Sequence, residues 1–153
     1  MSAALMQDEV FRAFSTYALI VILKMMMMSL VTAYYRITRG AFANEEDVGH
    51  GSTEEKKKKM LRTVPEVERV RRCHLNDLEN VVPFVLVGLF YALSGPELSS
   101  ALLHFRVFAG ARIFHTFSYL GHFPQPCRGL SFFLGLLVTL SMAYNVLSNV
   151  FAI

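Results

Sequence analysis

The chain has few charged residues, and it lacks the short motifs that mark common soluble enzymes. Only 18% of its 153 residues are charged and 54% are hydrophobic, which is an apolar balance for a soluble protein of this size. The GxGxxG motif, the Walker loop and the GxSxG elbow are all absent. Water is therefore not expected to be the main solvent of this protein, and no nucleotide-binding or serine-hydrolase chemistry is indicated.

The apolar residues are concentrated in four stretches, most of them near the length of about 20 residues that a bilayer core requires. We predict membrane spans at 11–35, 66–93, 98–120 and 129–151, with a loop at 36–65. Glycine and proline between the stretches are typical of turns. The predicted fold class is therefore all-α: one domain, residues 1–153, forming an antiparallel integral membrane four-helix bundle.

The positive charges are unevenly placed. Ten of the fifteen lysine and arginine residues fall between Arg36 and Arg72, and the connection between the second and third spans has none. The positive-inside rule then predicts that the first loop is cytosolic and both termini are lumenal. The chain has a net charge of +3, but membrane orientation accounts for the placement of its basic residues. Nucleic acid is therefore not a predicted partner.

Cysteines and histidines give no sign of a disulfide or a metal site. Cys73 and Cys127 are the only cysteines, and both fall at the predicted cytosolic face, where thiols stay reduced. None of the histidines has the close helical spacing of a zinc site, and no metal is predicted. The five histidines are His50, His74, His104, His115 and His122.

Polar residues on the second span share one helical face. Arg69, Arg72, Asn76 and Glu79 are spaced by three, four and three residues. Guanidinium groups bind carboxylates in pairs of hydrogen bonds, and Asn and Glu accept hydrogen bonds from an amine. Such a face suits a small zwitterion with several carboxylates. A solvated helix end with Glu–Arg pairs explains the same pattern equally well.

The third span carries Arg112, His115 and Tyr119 on one face, in the half that ends at the cytosolic side. We predict that these three line a pocket. For His104 and Arg106, nearer the lumenal end, interhelical hydrogen bonds are the preferred interpretation.

Lys24 lies near the middle of the first span. A lysine there can snorkel, line a pocket or pair with an acid, and we favour pairing with an acid on the second helix.

These residues occur in stretches that resemble the membrane-associated eicosanoid and glutathione metabolism superfamily, and most closely its type 1 microsomal glutathione transferases. The resemblance covers nearly the whole chain, and its most specific stretch is VERVRRCHLNDLEN at 67–80. Microsomal prostaglandin E synthases share the core of this motif but typically have Arg where this chain has Leu75. They also have Tyr where Phe132 stands, four residues after their catalytic Arg.

The resemblance implies a left-handed four-helix bundle that forms a homotrimer, with glutathione as co-substrate bound between subunits. The implied activity is transfer of glutathione to lipophilic electrophiles, with a secondary peroxidase activity on lipid hydroperoxides. The implied location is the endoplasmic reticulum membrane and also the mitochondrial outer membrane. Arg128 is the implied catalytic residue. The implied glutathione contacts are Arg36, Arg69, Arg72, Asn76, Glu79, Arg112, His115 and Tyr119.

Two departures from the family pattern concern thiols. Type 1 relatives commonly have a cysteine where this chain has Val48, so no thiol switch is expected at this position. Cys73 stands where the family usually has Ala, and packing as a small apolar group is the expectation.

Three other functions fit parts of the sequence. One is a prostaglandin E synthase-like isomerase, and a second is a non-catalytic lipid-binding scaffold of the same superfamily. A third is a small channel or structural membrane protein, which leaves the one-sided clustering of polar groups unexplained. Apolar walls for a lipophilic substrate are predicted from Phe84, Leu86, Phe114 and Phe117.

Overall fold

The computed structural model describes residues 2–49 and 51–151, and within them the fold is all-helical. His50 lies outside the described residues. A 3-10 turn at Glu45–Asp47 interrupts the loop after the first long helix. The helices are α1 (Ser2–Gln7), α2 (Glu9–Arg39), α3 (Glu54–Met60), α4 (Pro65–Leu93), α5 (Leu98–Leu120) and α6 (Gln125–Phe151).

The ends of the long helices follow from local sequence. The Asp8 carboxylate caps α2 by accepting a hydrogen bond of 2.7 Å from the Phe11 backbone N–H. Gly40 ends α2 with a φ of 55°, a left-handed conformation that glycine adopts without strain. Because α2 continues to Arg39, Arg36 lies on a helix and not in the predicted loop. Pro65 opens α4, where its missing N–H costs no helical hydrogen bond.

The last helix begins earlier than the span predicted at 129–151. It starts at Gln125, and Pro126 is tolerated because backbone N–H groups in the first helical turn have no intrahelical partner. Arg128 therefore projects from the first turn of α6, where its position is set by the helix.

The four long helices of the described residues pack around one apolar core. Helix α2 contacts α4 and α5, and α6 contacts the same two helices. The rings of Phe84 and Phe108 stack with their centroids 3.7 Å apart. The fully buried side chains of this core include Val21, Val81, Phe84, Phe105, Phe108 and Met142.

Three of these helices, α2, α4 and α6, are long and apolar enough to cross a membrane. Helix α5 is not among these three, and His104, Arg106, Arg112 and His115 lie within it. Large apolar side chains on the outside of the bundle suit contact with lipid. They include Leu19, Leu30, Leu86, Phe90, Leu103 and Leu140.

Candidate functional site

Arg112 is the largest fully buried side chain in the described part of the chain. It continues the buried stripe of α5 at Ala101, Phe105 and Phe108, so the helix turns it into the bundle. Its Nη2 donates to Asn76 Oδ1 and to Asp77 Oδ1, each at 2.8 Å. The same nitrogen lies 3.4 Å from His115 Nδ1, which must accept because arginine has only donors. One buried guanidinium thus organises three polar side chains.

Asp77 links Arg112 to the first span. Lys24 Nζ on α2 lies 2.6 Å from both carboxylate oxygens of Asp77, so the predicted pairing of Lys24 with an acid on the second helix is confirmed. Asp77 was not singled out from the sequence. Its signal was there, because Val70, Cys73, Asp77 and Val81 recur every three or four residues on the buried stripe of α4.

Tyr119 and Arg128 extend the cluster toward the α5–α6 connection. The His115 and Tyr119 rings lie 5.5 Å apart, and the Arg128 guanidinium carbon is 5.0 Å from the centre of the Tyr119 ring. Arg128 Nη2 donates to Gln125 Oε1 at 2.6 Å. Arg69 Nη1 donates to the Tyr119 carbonyl at 3.4 Å. Residues from α4, α5 and α6 therefore meet at one end of the bundle.

Several donors of this cluster have no partner among the described residues. They are Nε and Nη1 of Arg112 and Nε of Arg128, all buried from solvent. A buried donor without an acceptor costs about 1–3 kcal/mol, which a bound acceptor would recover. Because these donors belong to cations, the matching ligand group is an anion such as a carboxylate or a thiolate.

The structure does not bring all nine predicted residues together. Arg69, Asn76, Arg112, His115, Tyr119 and Arg128 form the cluster. Arg72 and Glu79 share the helical face of Asn76 but are exposed, and within the described residues neither makes a side-chain hydrogen bond or ion pair. Arg36 lies apart in a groove of about 490 Å³ between α2 and α4, lined also by Arg71 and His74.

The two other basic residues of α5 hold helices together, as predicted. His104 Nδ1 lies 2.7 Å from the Ser100 carbonyl, and its Nε2 lies 3.0 Å from Ser141 Oγ on α6. Arg106 Nε donates to the Tyr17 hydroxyl on α2 at 3.1 Å.

The prediction for Cys73 is confirmed, whereas one of the predicted apolar wall residues is wrong. Cys73 is fully buried and packs against Met28 and Val70, so its predicted role as a small apolar group is confirmed. The prediction of Phe84 as a wall for a lipophilic substrate is wrong, because its ring is buried in the core against Phe108. Leu86, Phe114 and Phe117 are exposed on the outer surface.

In the part of the chain that the structure describes, no three His, Cys, Asp or Glu side chains are grouped to hold a metal ion.

Comparison with known proteins gives one family and a consistent set of relatives. The family model described as the MAPEG family matches residues 14–148. Microsomal glutathione S-transferase 1 of Sus scrofa is 62% identical over 145 residues, covering 95% of this chain and 94% of that protein. The Homo sapiens protein of that name is 60% identical, covering 94% and 93%. Prostaglandin E synthase of Homo sapiens is 35% identical over 143 residues, covering 93% and 91%.

Proposed function

The chain belongs to the MAPEG family, and we propose that it is a membrane-bound glutathione transferase that conjugates glutathione to lipophilic electrophiles. The observation that carries this proposal is the pairing of a buried Arg112 with a part-buried Arg128 in one cluster, where donors without a partner among the described residues adjoin His115 and Tyr119. Glutathione offers two carboxylates and a thiol to such a cluster. Identity to microsomal glutathione S-transferase 1 proteins at 58–62% supports the same activity.

The proposed chemistry is attack by the glutathione thiolate on an electrophilic carbon. A cysteine-type thiol has a pKa of about 8.5, and only its thiolate is a strong nucleophile. Arg128 would stabilise the thiolate, and the electrophile's leaving group would depart with the electron pair of the broken bond. The same thiolate supports a secondary peroxidase activity: it takes one oxygen from a lipid hydroperoxide to give an alcohol and a sulfenic acid. A second glutathione then converts the sulfenic acid to the disulfide and water.

The remaining predicted residues are proposed to bind glutathione in an assembly. Arg72 and Glu79 are exposed beside Asn76, and Arg36 occupies a separate groove. A homotrimer with the site between subunits would let Arg36 of one copy face Arg72 of the next. In this arrangement Arg69 and Arg112 support the site, and Arg36, Arg72, Asn76 and Glu79 bind the ends of the tripeptide.

The proposal is tested by a chlorodinitrobenzene conjugation assay on the detergent-solubilised protein, together with equilibrium binding of glutathione. We expect conjugation that depends on glutathione and saturable binding. A lipid-binding scaffold predicts neither result, so their joint absence would reject the transferase. Conversion of prostaglandin H2 at a rate above conjugation would instead favour the isomerase. Phe132, one turn after Arg128 on α6, argues against that outcome.

We propose that all four long helices span the membrane, with the first loop on the cytosolic side. Burial of Arg112 and His115 supports a span for α5, because two of its four basic side chains face the bundle and not the lipid. The proposed location is the endoplasmic reticulum membrane, and also the mitochondrial outer membrane.

In sealed microsomes, added protease is expected to cut near Glu54–Met60, because this segment carries four consecutive lysines in the basic loop. Epitopes at either terminus should stay protected until detergent is added. Digestion of a terminal epitope without detergent would show that the orientation is the reverse of the one proposed. The cluster would then lie on the lumenal side. An antibody against a lumenal resident protein gives the control for vesicle integrity.

A further inference from the structure

The buried ion cluster has more positive than negative charge. Lys24 and Arg112 both contact Asp77, and the carboxylate and guanidinium are fully buried. Formally two cations share one anion. Cys73 on α4 and His115 on α5 lie near these charges, and Arg128 on α6 lies near His115.

Lys24 makes the closer contact with the Asp77 carboxylate. Its Nζ is 2.6 Å from both oxygens, whereas Arg112 reaches one oxygen through one nitrogen at 2.8 Å. Arg112 is therefore oriented by Asp77, but the carboxylate is shared with Lys24 and so offsets only one of the two positive charges. The cluster therefore keeps a net positive charge, and Nε and Nη1 of its guanidinium have no partner among the described residues.

We infer that Lys24, from a helix that supplies none of the clustered site residues, is a positioning residue that prevents Asp77 from offsetting the whole charge of Arg112 and so favours the glutathione thiolate. The inference rests on the proposed function. Removing the lysine charge leaves Asp77 free to neutralise Arg112, which lowers the positive potential at the thiol. The pKa of the bound thiol should then rise, and less thiolate should form at neutral pH.

Three variants at Lys24 separate this role from simple helix packing. Lys24→Met removes the charge and the hydrogen bond, Lys24→Gln removes the charge but keeps a donor for Asp77, and Lys24→Arg keeps both. Arg106→Met is the matched control, because Arg106 is a cation that joins α5 to α2 by a hydrogen bond, as Lys24 joins α2 to α4, but lies outside the cluster.

The readout is the ultraviolet absorbance of the thiolate of bound glutathione, titrated against pH. We expect the two neutral variants to titrate about one pH unit higher than the parent, which corresponds to about tenfold less thiolate below that pH. Lys24→Arg and Arg106→Met should titrate as the parent does. Stability in detergent, measured in parallel, should fall for Arg106→Met without moving the titration.

Two results would overturn the inference. One is a parent-like titration in both neutral variants, and the other is failure of both to fold while Lys24→Arg folds, which would show a structural role alone. Failure of the proposed function looks different, because the parent and Arg106→Met would then show no thiolate with added glutathione.

Discussion

Replacement of Arg128 by alanine is expected to lower the conjugation rate at neutral pH by about a hundredfold, the order of effect seen when one preorganised charge-stabilising donor is lost. The guanidinium lies over the Tyr119 ring at the end of the buried cluster, with its Nε unpaired among the described residues. Without it the thiol of bound glutathione should titrate at higher pH, so that less thiolate is available.

Arg72→Ala is the control for Arg128→Ala, because the two variants are expected to change different quantities. Arg72 is exposed on the face that is proposed to bind a carboxylate, so its loss should weaken glutathione affinity by about tenfold to a hundredfold. Arg128→Ala should instead lower turnover with affinity comparatively intact. Single-turnover kinetics and equilibrium binding measure the two quantities separately. Parent-level turnover and thiolate in Arg128→Ala would exclude Arg128 as the activating residue and direct attention to Arg112, His115 and Tyr119.

Asp77→Ala is expected to destabilise the protein by about 3–5 kcal/mol, because it leaves Lys24 and Arg112 without their anion. The measurement is the free energy of unfolding in mixed detergent micelles. Asp47→Ala makes the same chemical change at an exposed aspartate, and we expect it to change that free energy by less than about 0.5 kcal/mol.

A loss in Asp77→Ala no larger than in Asp47→Ala would mean that the ion cluster contributes little to the stability of the bundle. Asp77→Asn gives an intermediate case. It keeps the acceptor for Arg112 but removes the charge, so its stability should lie between the parent and Asp77→Ala.

Much of the helical architecture was predictable because local signals mark the ends of the helices. Gly40 and Pro65 bound the long loop, and α5 has the predicted bounds of 98–120. The predicted span at 129–151 begins four residues after the start of α6, because Pro124 and Pro126 favour a turn, whereas the helix begins at Gln125, between them. Proline is compatible with either a turn or a first helical turn, so sequence could not decide between them.

Helical spacing in the sequence by itself determined that Arg112, His115 and Tyr119 share a face, and that Lys24 needs a partner. Which acid pairs with Lys24 was decided only by the tertiary structure. Asp77 and Glu79 are two residues apart on α4 and so point to nearly opposite sides of the helix. Packing of the apolar stripe turns Asp77 inward and leaves Glu79 exposed, because burying Val70, Val81 and Phe84 fixes the rotation of α4 in the bundle.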